Sequence, residues 1–190
     1  STSSHRPSFS EEQLELIYNA CGVVPYADYI YCMCYTGFRC SEFLSLKIEK
    51  YNRVEKCLIG GGKTEAGTNR TVTLSPKIIP IIEEKIGDRQ SGYIFCNENG
   101  EKLRYGLFIE KYFYPAIDEI GIDNPIITVN GINKHLYTPH CCRRTFATLL
   151  KRVRGADKDK LSLIGHASDE MLRYYQDINY EDLRKITNKI

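Results

Sequence analysis

Apolar residues recur at helical spacing from near the start of the chain. Leu14, Ile17 and Cys21 share one face of a segment opening with Ser10-Glu11-Glu12-Gln13. The S-x-x-Q order predicts a capping box, in which Ser10 and Gln13 satisfy each other's backbone N–H groups. A second apolar helix is predicted from Tyr26 to Tyr35, broken by Thr36-Gly37. A third starts near Arg39 or Ser41 and carries Phe43, Leu44 and Leu46. The pattern then changes. Strand-like runs at 54–59 and 70–74 flank a Gly-rich connection, 60–68, and predict a hairpin. Ser75-Pro76 opens a helix with Ile78, Ile79, Ile81 and Ile82, which Pro80 should weaken or kink. Tyr93 to Cys96 reads as a short strand, turning at 97–100. Leu107 to Ile120 reads as a helix closed by Gly121. Residues 122–138 read as a loop, and Pro139 starts a helix reaching about Arg152. Short helices follow near 157–164, 168–175 and 180–190. The order predicts a mostly α fold with a small antiparallel β-sheet inserted early, without internal repeat or linker.

Length and composition narrow this little. The 190 residues suffice for one large domain or two small ones, and 42% hydrophobic residues can bury a sizeable core. A net charge of +2 argues only weakly for a nucleic-acid partner, because such a partner needs local charge. Local charge is present: residues 134–160 hold eight cations and two carboxylates, a net +6. Alone, such a run reads equally well as a solvated helical face. The eight cysteines form no Cys-x-x-Cys pair and lack histidines at zinc-ligand spacing. Several lie in apolar runs such as Tyr31-Cys32-Met33-Cys34-Tyr35, as small buried hydrophobes do in a reducing compartment. The sequence shows no secretory leader and no apolar run near the ~20 residues of a membrane span. The expectation is a soluble cytoplasmic protein with no membrane partner.

Candidate chemistry is scattered along this order. Arg39 sits at a helix start and Lys63 in the hairpin. His140 and Arg143 form H-x-x-R, His166 follows Gly165, and Tyr175 comes nine residues later. Taken singly, each has an ordinary reading. Arg39 can pair with Glu42 on a helix surface. Lys63 can be a solubilising residue at a hairpin tip, and either histidine a locally satisfied helix-end or turn residue. Tyr175 is one of 14 tyrosines, most of which belong to the core. As a set they suit a phosphodiester. Attack at phosphorus concentrates negative charge on two non-bridging oxygens, which two arginine forks neutralise without a metal. A tyrosine hydroxyl supplies the nucleophile, a histidine assists loss of its proton, and a lysine protonates the leaving oxygen. The i, i+3 spacing puts His140 and Arg143 on one helix face.

These residues, in this order, resemble the tyrosine recombinase (phage integrase) family. Thr36-Gly37-Phe38-Arg39-Cys40-Ser41-Glu42 through Leu46 is similar to its first box, T-G-x-R-x-x-E-x-x-x-L. Lys63-Thr64 with 70–75 resembles its β-hairpin lysine segment, 138–148 its second box, and Ile164-Gly165-His166-Ala167-Ser168 with Tyr175 its last. The resemblance implies the catalytic-domain fold of that family over residues 8–190, with 1–7 a disordered tail. It also implies that the family's N-terminal core-binding domain is absent from this chain.

The resemblance implies roles as well. Arg39 and Arg143 clamp the scissile phosphate, Lys63 protonates the leaving 5′ oxygen, and His140 and His166 hydrogen-bond the phosphate or the nucleophile. Tyr175 attacks to give a 3′-phosphotyrosine, while Glu42 orients the site. Arg144, Lys151, Arg152 and Lys134 are the expected DNA contacts. No cofactor or metal is expected. The expected partners are double-stranded DNA recombination sites, further copies forming a tetramer on DNA, and accessory DNA-bending or directionality factors. The rival readings are a DNA-binding protein of this fold that has lost catalysis, and a type IB topoisomerase-like or telomere-resolving enzyme.

Three departures stand out: Arg144 where many members have His, Cys142 where many have Leu, and the Tyr174-Tyr175 pair. In the C-terminal segment, Leu183, Ile186 and Ile190 form one apolar stripe on a helix too short to stand alone. The stripe docks either on its own domain or, as the resemblance implies, on a neighbouring protomer.

Overall fold

The computed structural model describes residues 6–61, 70–165 and 179–190. The hairpin tip at 62–69 and the expected helix at 168–175 lie outside the described residues, as do Lys63, His166, Tyr174 and Tyr175. Helix α1 (Glu11–Ala20) carries the capping box that its sequence predicts: the Gln13 N–H donates to Ser10 Oγ and the Ser10 N–H to Gln13 Oε1. It buries Leu14, Ile17 and Ala20 against α2 (Ala27–Thr36). Every residue of α2 except Asp28 is buried, as expected of a helix apolar all round. It forms the axis of the fold, packed between α1 and α7 (Pro139–Lys151). Asp28, its one charged residue, pairs at 2.6 Å with Lys85 of α4 (Ile79–Ile86).

The adjacent cysteines of α7 have separate structural roles. Cys141 Sγ accepts the Thr138 N–H at 3.4 Å and so caps the helix start. Cys142 is fully buried beside Cys34 of α2.

The short helix α3 (Cys40–Phe43) leads into a three-stranded antiparallel sheet, β1 (Tyr51–Asn52), β2 (Cys57–Gly60) and β3 (Arg70–Thr73). Cys57 faces Thr73 and Gly60 faces Arg70 across β2 and β3. Pro80 leaves α4 unkinked. It occupies the first turn, where a missing N–H costs nothing, and the helix simply starts later than the isoleucine pattern suggests. Tyr93 to Cys96 forms no strand, only isolated bridges from Tyr93 to Lys47 and from Cys96 to Lys102.

The long helical stretch runs through α5 (Tyr105–Phe108), a π turn (Ile109–Phe113) and α6 (Tyr114–Ile120). It ends on Gly121 in the left-handed region.

Residues 122–138, expected to be a loop, contain a second hairpin: β4 (Ile126–Val129) pairs with β5 (Ile132–His135). Its turn is Asn130-Gly131, with φ +52° and +75°. Positive φ at both central residues is the two-residue turn that matches strand twist, and Asn-Gly is its preferred sequence.

The N-terminal segment lies along α7. Arg6 donates to the His135 carbonyl at 2.8 Å, and the Phe9 N–H to Thr145 Oγ1 at 2.9 Å. Helix α8 (Asp157–Ile164) packs on β3 and ends on Gly165. Helix α9 (Tyr180–Thr187) packs on both. Its stripe of Leu183, Ile186 and Ile190 is buried on the same domain, where Thr187 Oγ1 lies 2.8 Å from Thr73 Oγ1 and Arg184 pairs with Glu55. Docking of this stripe on a neighbouring protomer is therefore not its arrangement here. The apolar face is already occupied by β3 and α8. Among the described residues, no helix is long and apolar enough to cross a membrane.

Deleting residues 180–190 is expected to lower the melting temperature, because Leu183, Ile186 and Ile190 each contribute roughly 1.5–3 kcal/mol by burial. Differential scanning calorimetry checks this, and an unchanged transition would show that the segment is not part of the core.

Candidate phosphate-binding site

The site begins where α2 stops. Gly37 ends the helix with φ +68°, a conformation that costs L side chains strain. The position also has no room: a Cβ there would lie 2.2 Å from the Phe146 ring of α7. Glycine thus lets the turn press against α7, and across that contact Arg143 Nη1 donates to the Gly37 carbonyl at 2.7 Å. One hydrogen bond joins two motifs separated by 106 residues.

Arg143 is only 3% exposed, and its Nη2 is buried without a partner among the described residues. Burial lowers its pKa to about 10, the charge of Arg39 acts in the same direction, and Glu42 opposes both. The group stays cationic at neutral pH. Leaving a buried donor unpaired costs roughly 1–3 kcal/mol. An anion arriving at Nη2 would recover that cost.

Arg39 is the N-cap of α3, with a side chain 55% exposed. Glu42 is buried beneath it. Its Oε1 accepts the Arg39 backbone N–H at 3.0 Å and lies 3.5 Å from Nη1. The backbone bond sets the turn, and the ion pair engages one terminal nitrogen, so other guanidinium donors face outward. The Arg39–Glu42 pairing offered by the i, i+3 spacing is thus present, with Glu42 buried rather than on the surface.

His140 stands in the first turn of α7 with an exposed rim, on the face that carries Arg143. Partial burial lowers its pKa, followed by the charges of Arg143, Arg144, Arg6 and Arg39. These effects favour its neutral form. A pocket of about 290 Å³ is lined by Ser8, His140, Arg143, Arg144, Ala147, Thr148, Lys151 and Ile164. Its wall therefore holds three cations and one imidazole, all from a single helix.

The structure gathers Arg39, Glu42, His140, Arg143, Arg144 and Lys151. Arg152 turns away, its guanidinium 3.6 Å from Glu11 Oε1. Lys134 lies exposed on β5, outside the pocket lining. Lys63, His166 and Tyr175 fall outside the described residues. One buried residue beside the cluster is not among the expected site residues: Arg70, which the pattern gives as the first position of an ordinary strand, is only 8% exposed. A guanidinium entering a β-branched run was the available hint. Among the described residues, no group of three or more His, Cys, Asp or Glu side chains is placed to hold a metal.

Comparison with known proteins adds to this geometry. The family model described as the phage integrase family matches residues 7–182. The tyrosine recombinase XerH of Helicobacter pylori is 26% identical over 157 residues, 80% of this chain and 40% of that protein. The TnP I resolvase of Bacillus thuringiensis is 35% identical over 79 residues, 37% of this chain and 27% of that one. The chain thus spans less than half the length of these curated relatives. Among solved structures, XerA recombinase superposes with a TM-score of 0.66 at 20% identity, over 97% of this chain and 64% of that one. The Tn1549 transposon integrase, solved in complex with circular intermediate DNA, gives 0.65 at 17%, over 97% and 65%. Both share the fold.

A phosphate seated in this pocket would raise the lowered pKa of His140, so binding would take up a proton. Affinity for a short DNA duplex is therefore expected to rise as pH falls from about 7.5 to about 5.5, across the ordinary histidine range. Fluorescence anisotropy against pH checks this. His140→Gln should flatten the dependence, and an identical slope in that variant would remove His140 from the phosphate.

Proposed function

The chain belongs to the phage integrase family, and on that premise we propose that it cleaves and rejoins DNA strands as the catalytic domain of a site-specific recombinase. The observation that carries this reading is the unpaired, buried Nη2 of Arg143 beside a pocket lined by His140, Arg144 and Lys151, with Arg39 at its edge of influence. Phosphate contacts of this kind dominate affinity for DNA and make it depend on salt.

In the proposed reaction the Arg39 and Arg143 guanidinium groups neutralise the two non-bridging oxygens of the scissile phosphate, and His140 hydrogen-bonds one of them. Tyr175 attacks phosphorus through its hydroxyl oxygen, with His166 assisting loss of the proton. The new bond joins tyrosine oxygen to the 3′ phosphate. The bond to the 5′ oxygen breaks, and Lys63 supplies the proton that this oxygen takes up. A 5′ hydroxyl from a partner strand then reverses these steps, restores the phosphodiester and frees Tyr175. One ester replaces another at each step, so the sequence of reactions needs no external energy source.

The proposed partners are double-stranded recombination sites, three further copies of the recombinase, and accessory DNA-bending or directionality factors. The proposed place of action is the nucleoid of a bacterial cytoplasm. Arg144 and Lys151, which line the pocket, are proposed as contacts to flanking phosphates, and Lys134 and Arg152 as outer contacts.

A nicked suicide duplex traps the covalent intermediate and separates an enzyme from a mere binder. Wild-type protein is expected to leave an adduct on a denaturing gel, Tyr175→Phe none, and Tyr174→Phe the full amount. On an α-helix, adjacent side chains point about 100° apart. An adduct formed by Tyr175→Phe would assign the nucleophile elsewhere.

Arg39→Lys and Arg143→Lys are each expected to slow single-turnover cleavage at least about a hundredfold, the scale of losing one oxyanion donor. Near-normal cleavage by either would contradict the clamp. Lys63→Ala should recover on a 5′-thio leaving group, which departs without protonation. An equal defect on both substrates would take Lys63 out of that role.

A further inference from the structure

Arg70 is the first residue of β3, and its side chain gathers three segments. Nη1 donates to the carbonyl of Ile164, the last residue of α8, and Nη2 to that of Thr36, the last residue of α2, at 3.3 Å. Its Cζ lies 4.2 Å from the centre of the Phe38 ring. Gly165 leaves space for it, since a Cβ there would stand 2.5 Å from Arg70 Cδ. The Nε is buried without a partner among the described residues. Arg143 takes the very next carbonyl, that of Gly37. Two arginines therefore hold consecutive carbonyls of the turn that presents Arg39.

This arrangement is expensive for a strand position. Burial lowers the pKa of Arg70 to about 9, Arg143 and Arg39 add to the effect, and Glu42 opposes it. Among the described residues no carboxylate pairs with Arg70 within ion-pair distance. An apolar residue of similar volume would close β3 without burying a charge. What an apolar residue lacks is the planar fork that bonds two carbonyls while its face lies on an aromatic ring. Lysine lacks that fork as well.

We infer that Arg70 is a positioning residue for the phosphate site, one that locks the Thr36–Arg39 turn against the end of α8 so that Arg39 and Arg143 meet the same phosphate. The inference rests on the strand-transfer reading above and adds a residue that reaches the phosphate only through others. The same side chain therefore ties the β-sheet to the turn that presents Arg39 and to the end of α8.

The test has two arms, and the first needs no DNA. Amide hydrogen exchange is compared between wild type and Arg70→Lys. The expected result is faster exchange at the Gly37 and Arg39 N–H groups, which are bonded to the Met33 carbonyl and to Glu42, with α4 unchanged. Acceleration spread evenly over the molecule, or none at all, would overturn the inference.

The second arm is single-turnover cleavage of the nicked duplex. Arg70→Lys should cleave at least about tenfold more slowly with unchanged DNA affinity. Adding the same change to Arg39→Ala should cost little more, as for residues that act as a unit. Additive losses, or wild-type cleavage by Arg70→Lys, would overturn the inference. If wild type itself makes no adduct, the strand-transfer reading fails, and the exchange arm still decides whether Arg70 holds the turn. Arg70→Met serves as a second variant should Arg70→Lys fail to fold.

Discussion

The structure turns on one hydrogen bond between chain segments far apart in sequence, from Arg143 Nη1 to the Gly37 carbonyl. It forms only because α2 ends on a glycine that packs directly against Phe146. That contact sets the depth at which α7 approaches the central helix. It also places a guanidinium where one terminal nitrogen is bound to protein and the other has no partner among the described residues. Replacing the glycine with any L-residue would add backbone strain and a steric clash at the same point. The requirement that two helices touch through a Cβ-free position thus brings the two arginine motifs together.

After burial itself, the charge of Arg39 lowers the proton affinity of both Arg70 and Arg143, and Arg143 acts on Arg70 in the same direction, with Glu42 the carboxylate that opposes them. Burying like charges together is unfavourable, so an anion bound beside them would relieve that cost and, by mass action, stabilise the fold. The near-neutral total charge of the chain hides this, because acidic residues elsewhere balance the sum without reaching the pocket.

The C-terminal helix shows a second way in which position decides role. Its stripe is amphipathic enough to dock on many surfaces, and β3 with α8 supplies one within the same domain. The Thr73–Thr187 contact and the Arg184–Glu55 pair add polar registration to that apolar burial. The helix thereby braces the strand that begins with Arg70. The C-terminal helix and the arginine cluster are thus connected through one short β-strand.

Much was legible in the sequence by itself. The capping box at Ser10, the helix-ending glycines at 37 and 121, the first hairpin and the H-x-x-R face of α7 follow from local spacing and backbone chemistry, which act over a few residues. The ordered set of Arg39, Lys63, His140, Arg143, His166 and Tyr175 is equally local in its parts. The hairpin of β4 and β5 was also written there, in Asn130-Gly131, but its polar strands did not alternate strongly enough to stand out from a loop. Pro80 was visible and its effect was not, because a proline breaks or begins a helix according to where the first turn falls, and packing sets that. What only the tertiary structure decided is which donors remain free. Whether Arg143 has a spare nitrogen, whether Arg152 faces the pocket or Glu11, and whether Arg70 is an ordinary strand residue or a clasp on two carbonyls all depend on segments at least 34 residues away. Sequence spacing has no reach over such separations. Burial and hydrogen-bond satisfaction are properties of the packed whole.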